Sequence, residues 1–323
     1  MALELKERVT LIRKKLEIFM PDNYLETIEL LHTSLKVADS KDNFIFASYS
    51  EYIEFNGCTD EYLDISLNML GEYTKWFSSE FAIRKFINQY PDQTYNKMLE
   101  WSLSDHADQR RLASEGLRPK LPWASKIYFD YQQGMLPLHN LYYDKERYVV
   151  RSVANHLNDV SKLDPDFVVD VLKTWQSSHK QDSKEMAYLM NHALRTSIKK
   201  GHLRSLELIG FASNPAIKVE NFIIHQKDIV IGDSLQFEFD IVSQQNENLM
   251  VDFKVLYPMA NNKTSEKVFK IKRLRIQENE VVKIKKSHGF KLMTTKKLYS
   301  GDYKLFIQIN GKIFDETSFT LKV

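Results

Sequence analysis

The chain has 323 residues, more than a single hydrophobic core usually serves, so two folding units are expected. Hydrophobic residues make up 43% and charged residues 27%, a balance that excludes disorder, and no window of eighteen apolar residues offers a membrane span. The single cysteine, Cys58, excludes a disulfide framework and a thiolate metal cage, and is expected to be a small core residue in a reducing compartment.

The net charge of +2 hides two opposed regions. From Phe46 to Glu80 seven acidic residues stand against one lysine, whereas from Lys254 to Lys297 thirteen basic residues stand against three acidic ones. The basic region suits either a polyanionic partner or plain solubility. Charges throughout the first twenty residues leave no signal-peptide pattern, so a cytoplasmic location is expected.

Up to about residue 212 apolar residues recur at three and four, as in Leu63, Leu67 and Leu70, and the spacing predicts one amphipathic helix after another. The predicted spans are 3–20, 23–38, 61–77, 79–88, 93–103, 107–115, 147–163, 166–177, 184–200 and 203–209. Pro91, Pro165 and Gly201 punctuate them, and Asp164 is placed to cap the helix that opens at Pro165. Helix pairs of roughly forty residues without a strand between them suggest an α-solenoid of HEAT type, with an irregular bundle as the competing arrangement.

Three polar stretches along these helices are not required by packing. In Ser114-Glu115-Gly116-Leu117-Arg118-Pro119-Lys120-Leu121-Pro122-Trp123 a helix stops at glycine, and two prolines then turn the chain so that Arg118, Lys120 and Trp123 lie beside Glu115. Those residues form either a cationic and aromatic loop around a carboxylate, or an Arg111 to Glu115 pair one turn apart with Trp123 as core. In the span 147–163, Arg151, Asn155, Asn158, Asp159 and Lys162 share the side opposite Val150, Val153, Ala154, Leu157 and Val160. Arginine, asparagine and aspartate suit hydrogen bonds to phosphate, sugar or base edges as well as they suit a plain surface. His192, Arg195 and Lys199 form the third stripe, and Lys199 and Lys200 also complement the negative end of their helix.

After Asn214-Pro215 the pattern turns to alternation, in Ile217-Val219, Phe222 to Ile224, Leu235-Phe237-Phe239, Val251-Phe253-Val255, Val268-Ile271 and Leu305-Ile307-Ile309. Asn310-Gly311 between two such runs predicts a hairpin turn. Seven or eight short strands fit an immunoglobulin-like sandwich. The expected fold class is therefore α then β: a HEAT-like α-solenoid over residues 1–213 followed by an immunoglobulin-like β-sandwich over 214–323. There is no Gly-rich phosphate loop, no His-Glu-x-x-His and no G-x-S-x-G, and the nine histidines are scattered, so no cofactor and no metal are expected.

The long motifs resemble the AlkC-type DNA glycosylases, members of the HEAT-like repeat superfamily that also contains AlkD. The likeness runs through Ser114-Glu115-Gly116, Arg118-Pro119-Lys120-Leu121-Pro122-Trp123, Arg151-Ser152-Val153-Ala154-Asn155-His156-Leu157-Asn158-Asp159 and His192-Ala193-Leu194-Arg195 with Ile198-Lys199-Lys200-Gly201-His202. In the sandwich it adds Lys267-Val268-Phe269-Lys270 and Ser300-Gly301-Asp302, as in the subgroup with an immunoglobulin-like appendage. Lys120 stands where arginine is expected, and Asn191 where a basic residue is more usual.

The resemblance implies a monofunctional, monomeric enzyme that removes 3-methyladenine and 3-methylcytosine from double-stranded DNA. Position within the matched motifs makes Glu115 and Asp159 the expected catalytic carboxylates. Arg118, Lys120, Trp123, Arg151, Asn155, Asn158, Lys162, His192, Arg195, Lys199 and Lys200 are the expected DNA-binding residues, and the basic sandwich is expected to clamp the duplex. The rival expectation is a helical-repeat protein that binds damaged or bent DNA without catalysis. A third treats the sandwich as a protein-interaction module.

Overall fold

The computed structural model describes residues 3–39, 41, 43–260, 263–291 and 297–322. By contacts the chain divides into one unit ending at Leu194 and a second beginning at Arg195, ahead of the change in sequence pattern at 213/214.

The first unit is helical, as the periodicity predicts. Its helices are α1 (Leu5–Phe19), α2 (Tyr24–Lys36), α3 (Ala47–Asn56), α4 (Leu63–Tyr73), α5 (Ile83–Gln89), α6 (Pro91–Ser102), α7 (Ala107–Glu115), α8 (Met135–Leu141), α9 (Arg147–Val160), α10 (Pro165–Ser177) and α11 (Ser183–Ala193). Each packs on its neighbours in the HEAT-like manner, with α7 against α9 and α9 against α11. Two helices escaped the sequence reading. In α3 the run Ser-Tyr-Ser-Glu-Tyr alternates small and aromatic residues and carries little helical periodicity, and α8 is short with Pro137 inside it.

Asp164 caps α10 as expected, accepting from the Phe167 amide at 2.9 Å. The helix predicted over 184–200 is broken at Leu194, between α11 and α12 (Arg195–Lys199), with no glycine or proline to announce it. The tertiary structure supplies the reason. The Ala193 carbonyl accepts the Asn158 side-chain amide at 3.0 Å and the Ser161 hydroxyl at 3.4 Å, so hydrogen bonds from α9 and its end replace intrahelical ones.

Helix α9 packs against α7, α8, α10 and α11. Val149, Val150, Val153, Ala154, Leu157 and Val160 are fully buried, and so nearly are Ser152, His156, Asn158 and Asp159. Its polar stripe is thus no solvated face at its C-terminal half.

The second unit holds α12, α13 (Leu203–Leu208) and eight strands among the described residues: β1 (Ile217–Ile224), β2 (Asp228–Val230), β3 (Ser234–Ser243), β4 (Glu247–Pro258), β5 (Thr264–Ile276), β6 (Val281–Gly289), β7 (Gly301–Ile309) and β8 (Lys312–Lys322). They form a three-stranded sheet, β1-β3-β6, and a five-stranded sheet, β2-β8-β7-β4-β5. Phe237, Phe239, Phe253, Phe290, Tyr303 and Phe319 fill the space between.

Asn310 and Gly311 join β7 to β8 with φ of 47° and 78°, the left-handed pair that a tight hairpin turn needs. A Cβ on Gly311 would fall 2.2 Å from the Gly201 Cα, so backbone packs on backbone where the turn after α12 meets the hairpin. Gln308 donates to the Lys199 carbonyl at 3.2 Å and Asn310 to the Ala212 carbonyl at 2.9 Å, which ties α12 and the 210–214 segment to the sandwich. The edge strands β5 and β6 expose Lys267, Lys270, Lys272, Lys283 and Lys285. Lysines there also discourage edge-to-edge pairing. Residues 261–262 and 292–296 of the basic stretch lie outside the described residues.

Candidate functional site

The loop from Gly116 to Ser125 leaves α7 and is fixed from beneath by α5. Arg84, 1% exposed, donates to the carbonyls of Ser125 at 2.5 Å, Gly116 at 3.1 Å and Arg118 at 2.9 Å. Burial, and then the neighbouring Arg118 charge, lower its pKa to about 10, still cationic at neutral pH. Gly116 is not the left-handed stop that the sequence suggests. Its φ is −60°, and glycine is needed because a Cβ would press within 2.6 Å of the Met98 side chain and 2.9 Å of Ile83.

Arg118 turns inward and spans the two expected carboxylates. Its Nη1 donates to Glu115 Oε2 at 2.9 Å and its Nε to Asp159 Oδ2 at 2.9 Å. Asp159 also accepts from Lys162 at 2.7 Å, while Glu115 lies 3.5 Å from Arg111. Arg111 in turn pairs with Glu80 at 3.0 Å and covers the Tyr148 ring. Burial alone would lower the Arg118 pKa, but Glu115 and Asp159 outweigh it and hold the group above its usual range. Glu80, Glu115 and Asp159 are therefore knitted to Arg111, Arg118 and Lys162 in one ionic network.

His156, fully buried in α9, donates from Nδ1 to the Ser114 carbonyl at 3.0 Å and ties α9 to the end of α7. Burial pushes its pKa down to about 4, so the ring is neutral.

A cleft of about 310 Å³ opens over part of this network, lined by Glu80, Phe81, Arg111, Glu115, Arg118, Leu121, Pro122, Trp123, Tyr148, Arg151, Ser152 and Asn155. Trp123, 82% exposed, stands at its edge with φ of 60°, a left-handed conformation unusual for a bulky side chain. Lys6 of α1 donates to its carbonyl.

The expected site residues separate into groups. Glu115, Arg118, Trp123, Arg151 and Asn155 line the cleft together, and His192 joins them through a 2.8 Å bond to Asn155. Asp159 shares the network but not the cleft wall. Lys120 and Lys162 are exposed beside them in sequence.

Two of the expected DNA-binding side chains face inward. Arg118 is consumed by the carboxylates, and Asn158, 2% exposed, holds the Ala193 carbonyl. Arg195, Lys199 and Lys200 belong to the second unit, where Lys199 and Lys200 are exposed and Arg195 is half-buried.

The sequence reading missed Glu80 and Tyr148 and gave Arg111 only a pairing role. Glu80 counted merely as one charge in an acidic stretch, since nothing local says that it meets an arginine thirty-one positions later. The alternative of an Arg111 to Glu115 pair is realised, but Trp123 is not core.

Residues 218–323 match the family described as "Uncharacterised protein YhaZ, C-terminal Ig-like domain". The chain is 32% identical over 320 residues to the uncharacterized protein YhaZ of Bacillus subtilis (strain 168), covering 98% of this chain and 87% of that protein. Among solved structures, it is 29% identical to the Pseudomonas fluorescens alkylpurine DNA glycosylase AlkC bound to DNA containing an abasic site analog, with a TM-score of 0.92 over 99% of this chain and 89% of that one. Identity along nearly the whole length, the common fold and the shared immunoglobulin-like domain together place the chain in the AlkC-type family of HEAT-like repeat proteins, in the subgroup with that C-terminal domain.

Proposed function

We propose that this protein is a monofunctional, cofactor-independent glycosylase that hydrolyses the N-glycosidic bond of cationic alkylated bases, 3-methyladenine and 3-methylcytosine, in duplex DNA. The observation that carries the reading is one cleft in which the carboxylates Glu80 and Glu115 meet an exposed tryptophan and the exposed Arg151.

The chemistry suits that arrangement. A base alkylated at N3 is already positive, so the C1′–N bond breaks with both electrons passing to the base, which leaves neutral. No general acid is required. The sugar becomes oxocarbenium-like, and a negative side chain favours it. Water then joins C1′ through its oxygen and gives up a proton to a carboxylate or to solvent.

Glu80, with 16% of its side chain exposed against 4% for Glu115 and 2% for Asp159, is the carboxylate that most readily reaches a bound sugar. Glu115 and Asp159 contribute negative charge behind it. Phosphates drawing on Arg111 and Lys162 would leave that charge less neutralised when DNA is present.

Lys120, Arg151, Asn155, Lys162, His192, Arg195, Lys199 and Lys200 are the proposed phosphate and sugar contacts, which give affinity without sequence preference. Trp123 packs on the nucleotide. Residues 1–213 carry the chemistry and 214–323 clamp the duplex, with the lysines of β5 and β6 facing phosphate. The test is incubation of the monomeric protein with duplex oligonucleotides carrying one 3-methylcytosine or 3-methyladenine. Free base and abasic sites should accumulate, and their absence would overturn the proposal.

One observation favours the rival reading of a non-catalytic binder of damaged or bent DNA: Arg118 neutralises Glu115 and Asp159 at once. That reading predicts retained affinity for bent DNA with no base release.

A further inference from the structure

A second cavity, of about 220 Å³, adjoins the cleft and shares Phe81 with it. Its walls are largely apolar, with Phe44, Ala47, Phe55 and Phe81 among them, and Lys6 stands at the same cavity with its ammonium 4.8 Å from the centre of the Phe81 ring. Ser78 lines the cavity while donating to Glu80 of the cleft at 2.8 Å, so one hydrogen bond links the linings of the two spaces.

Glu54 of α3 enters this apolar space. Burial, and then the charge of Glu51, raise its pKa to about 7, and no hydrogen bond contributes to that shift. Lys85 bonds the backbone carbonyl of Glu54 rather than its carboxylate. A half-buried carboxyl set in a largely apolar, aromatic-walled cavity offers an acceptor to whatever occupies the space.

We propose that this cavity binds a free nucleobase, the neutral heterocycle released in the adjoining cleft, with its rings against the aromatic walls and an N–H or amino edge donating to Glu54. The proposal rests on the reading of the cleft as a glycosylase site. Size agrees, because an apolar cavity of about 150 Å³ accommodates benzene, and this one is large enough for a fused bicycle. Charge agrees as well. Glu51 accepts from Thr10 at 2.9 Å and lies 3.6 Å from Arg13, while Lys6 and Lys85 offset Glu54, so the surrounding charges nearly balance and suit a neutral ligand.

The experiment titrates 3-methyladenine into the intact protein without DNA, followed by calorimetry, and repeats it with Glu54→Leu, which removes the acceptor, and Ala47→Met, which fills the space. Both variants are expected to bind the base at least tenfold more weakly. They should keep the single-turnover rate of excision and lose inhibition by added free base.

Equal binding by wild type and both variants would overturn the proposal. So would loss of binding in Trp123→Ala and Glu80→Gln alone, since that puts the base in the cleft. Excision without detectable base binding overturns the cavity site and leaves the glycosylase intact. Base binding that depends on Glu54 and Ala47 in a protein that excises nothing supports the cavity and overturns the glycosylase.

Discussion

The guanidinium of Arg84 donates to the carbonyl of Arg118 at 2.9 Å, so one buried arginine fixes the backbone of another whose side chain spans Glu115 and Asp159. Lysine cannot reproduce the planar fork that reaches three carbonyls. Each hydrogen bond from a charged donor contributes about 1.5–3 kcal/mol, so Arg84→Lys is expected to lower the unfolding free energy by about 2–4 kcal/mol in urea denaturation. Excision should fall with it, because the loop carrying Trp123 loses its anchor.

The carboxylate network sets the second prediction. Glu80→Gln, Glu115→Gln and Asp159→Asn should each slow single-turnover base release by at least about tenfold, or roughly 1.4 kcal/mol of barrier, with little change in DNA affinity. Undiminished release in all three variants would exclude these carboxylates from the reaction.

Trp123 offers a separation of stability from function. A left-handed backbone costs a non-glycine residue about 1–3 kcal/mol, and the exposed indole returns little of that through burial. Trp123→Gly should therefore unfold at an equal or higher temperature than the wild type while losing excision, and a marked loss of thermal stability would contradict the account.

His156 gives a pH dependence with a definite sign. Its folded pKa of about 4 lies below the ordinary 6.5, so between those values the unfolded chain binds the extra proton. Stability from this group is full above pH 6.5 and declines as pH falls toward 4, by about 3 kcal/mol in all. Replacement His156→Gln should flatten the fall in urea midpoint across that window.

Phosphate contacts are distinguishable by salt. Arg151→Gln and Lys120→Gln should each flatten the plot of log affinity against log salt by about 0.9. Arg118→Gln should instead destabilise the fold, since it abandons two buried carboxylates.

The sequence by itself determined that helices precede strands, the turn at Asn310-Gly311, the cap at Asp164 and the family, because periodicity, turn chemistry and long motifs are local properties of the chain. It also named Glu115, Trp123, Arg151 and Asn155, though from separate stretches and among nine other expected site residues. Only the tertiary structure decided which polar residues of one helical stripe meet the cleft and which are spent on packing. Arg151 and Asn155 face the cleft, whereas seven and eight positions after Arg151 the same side of α9 is buried, with Asn158 on the Ala193 carbonyl and Asp159 on Arg118. Glu80, Arg84 and Glu54 became meaningful through partners or surroundings remote in sequence, and the desolvation that lowers the Arg84 pKa and raises that of Glu54 is a property of the packed interior that no local pattern encodes.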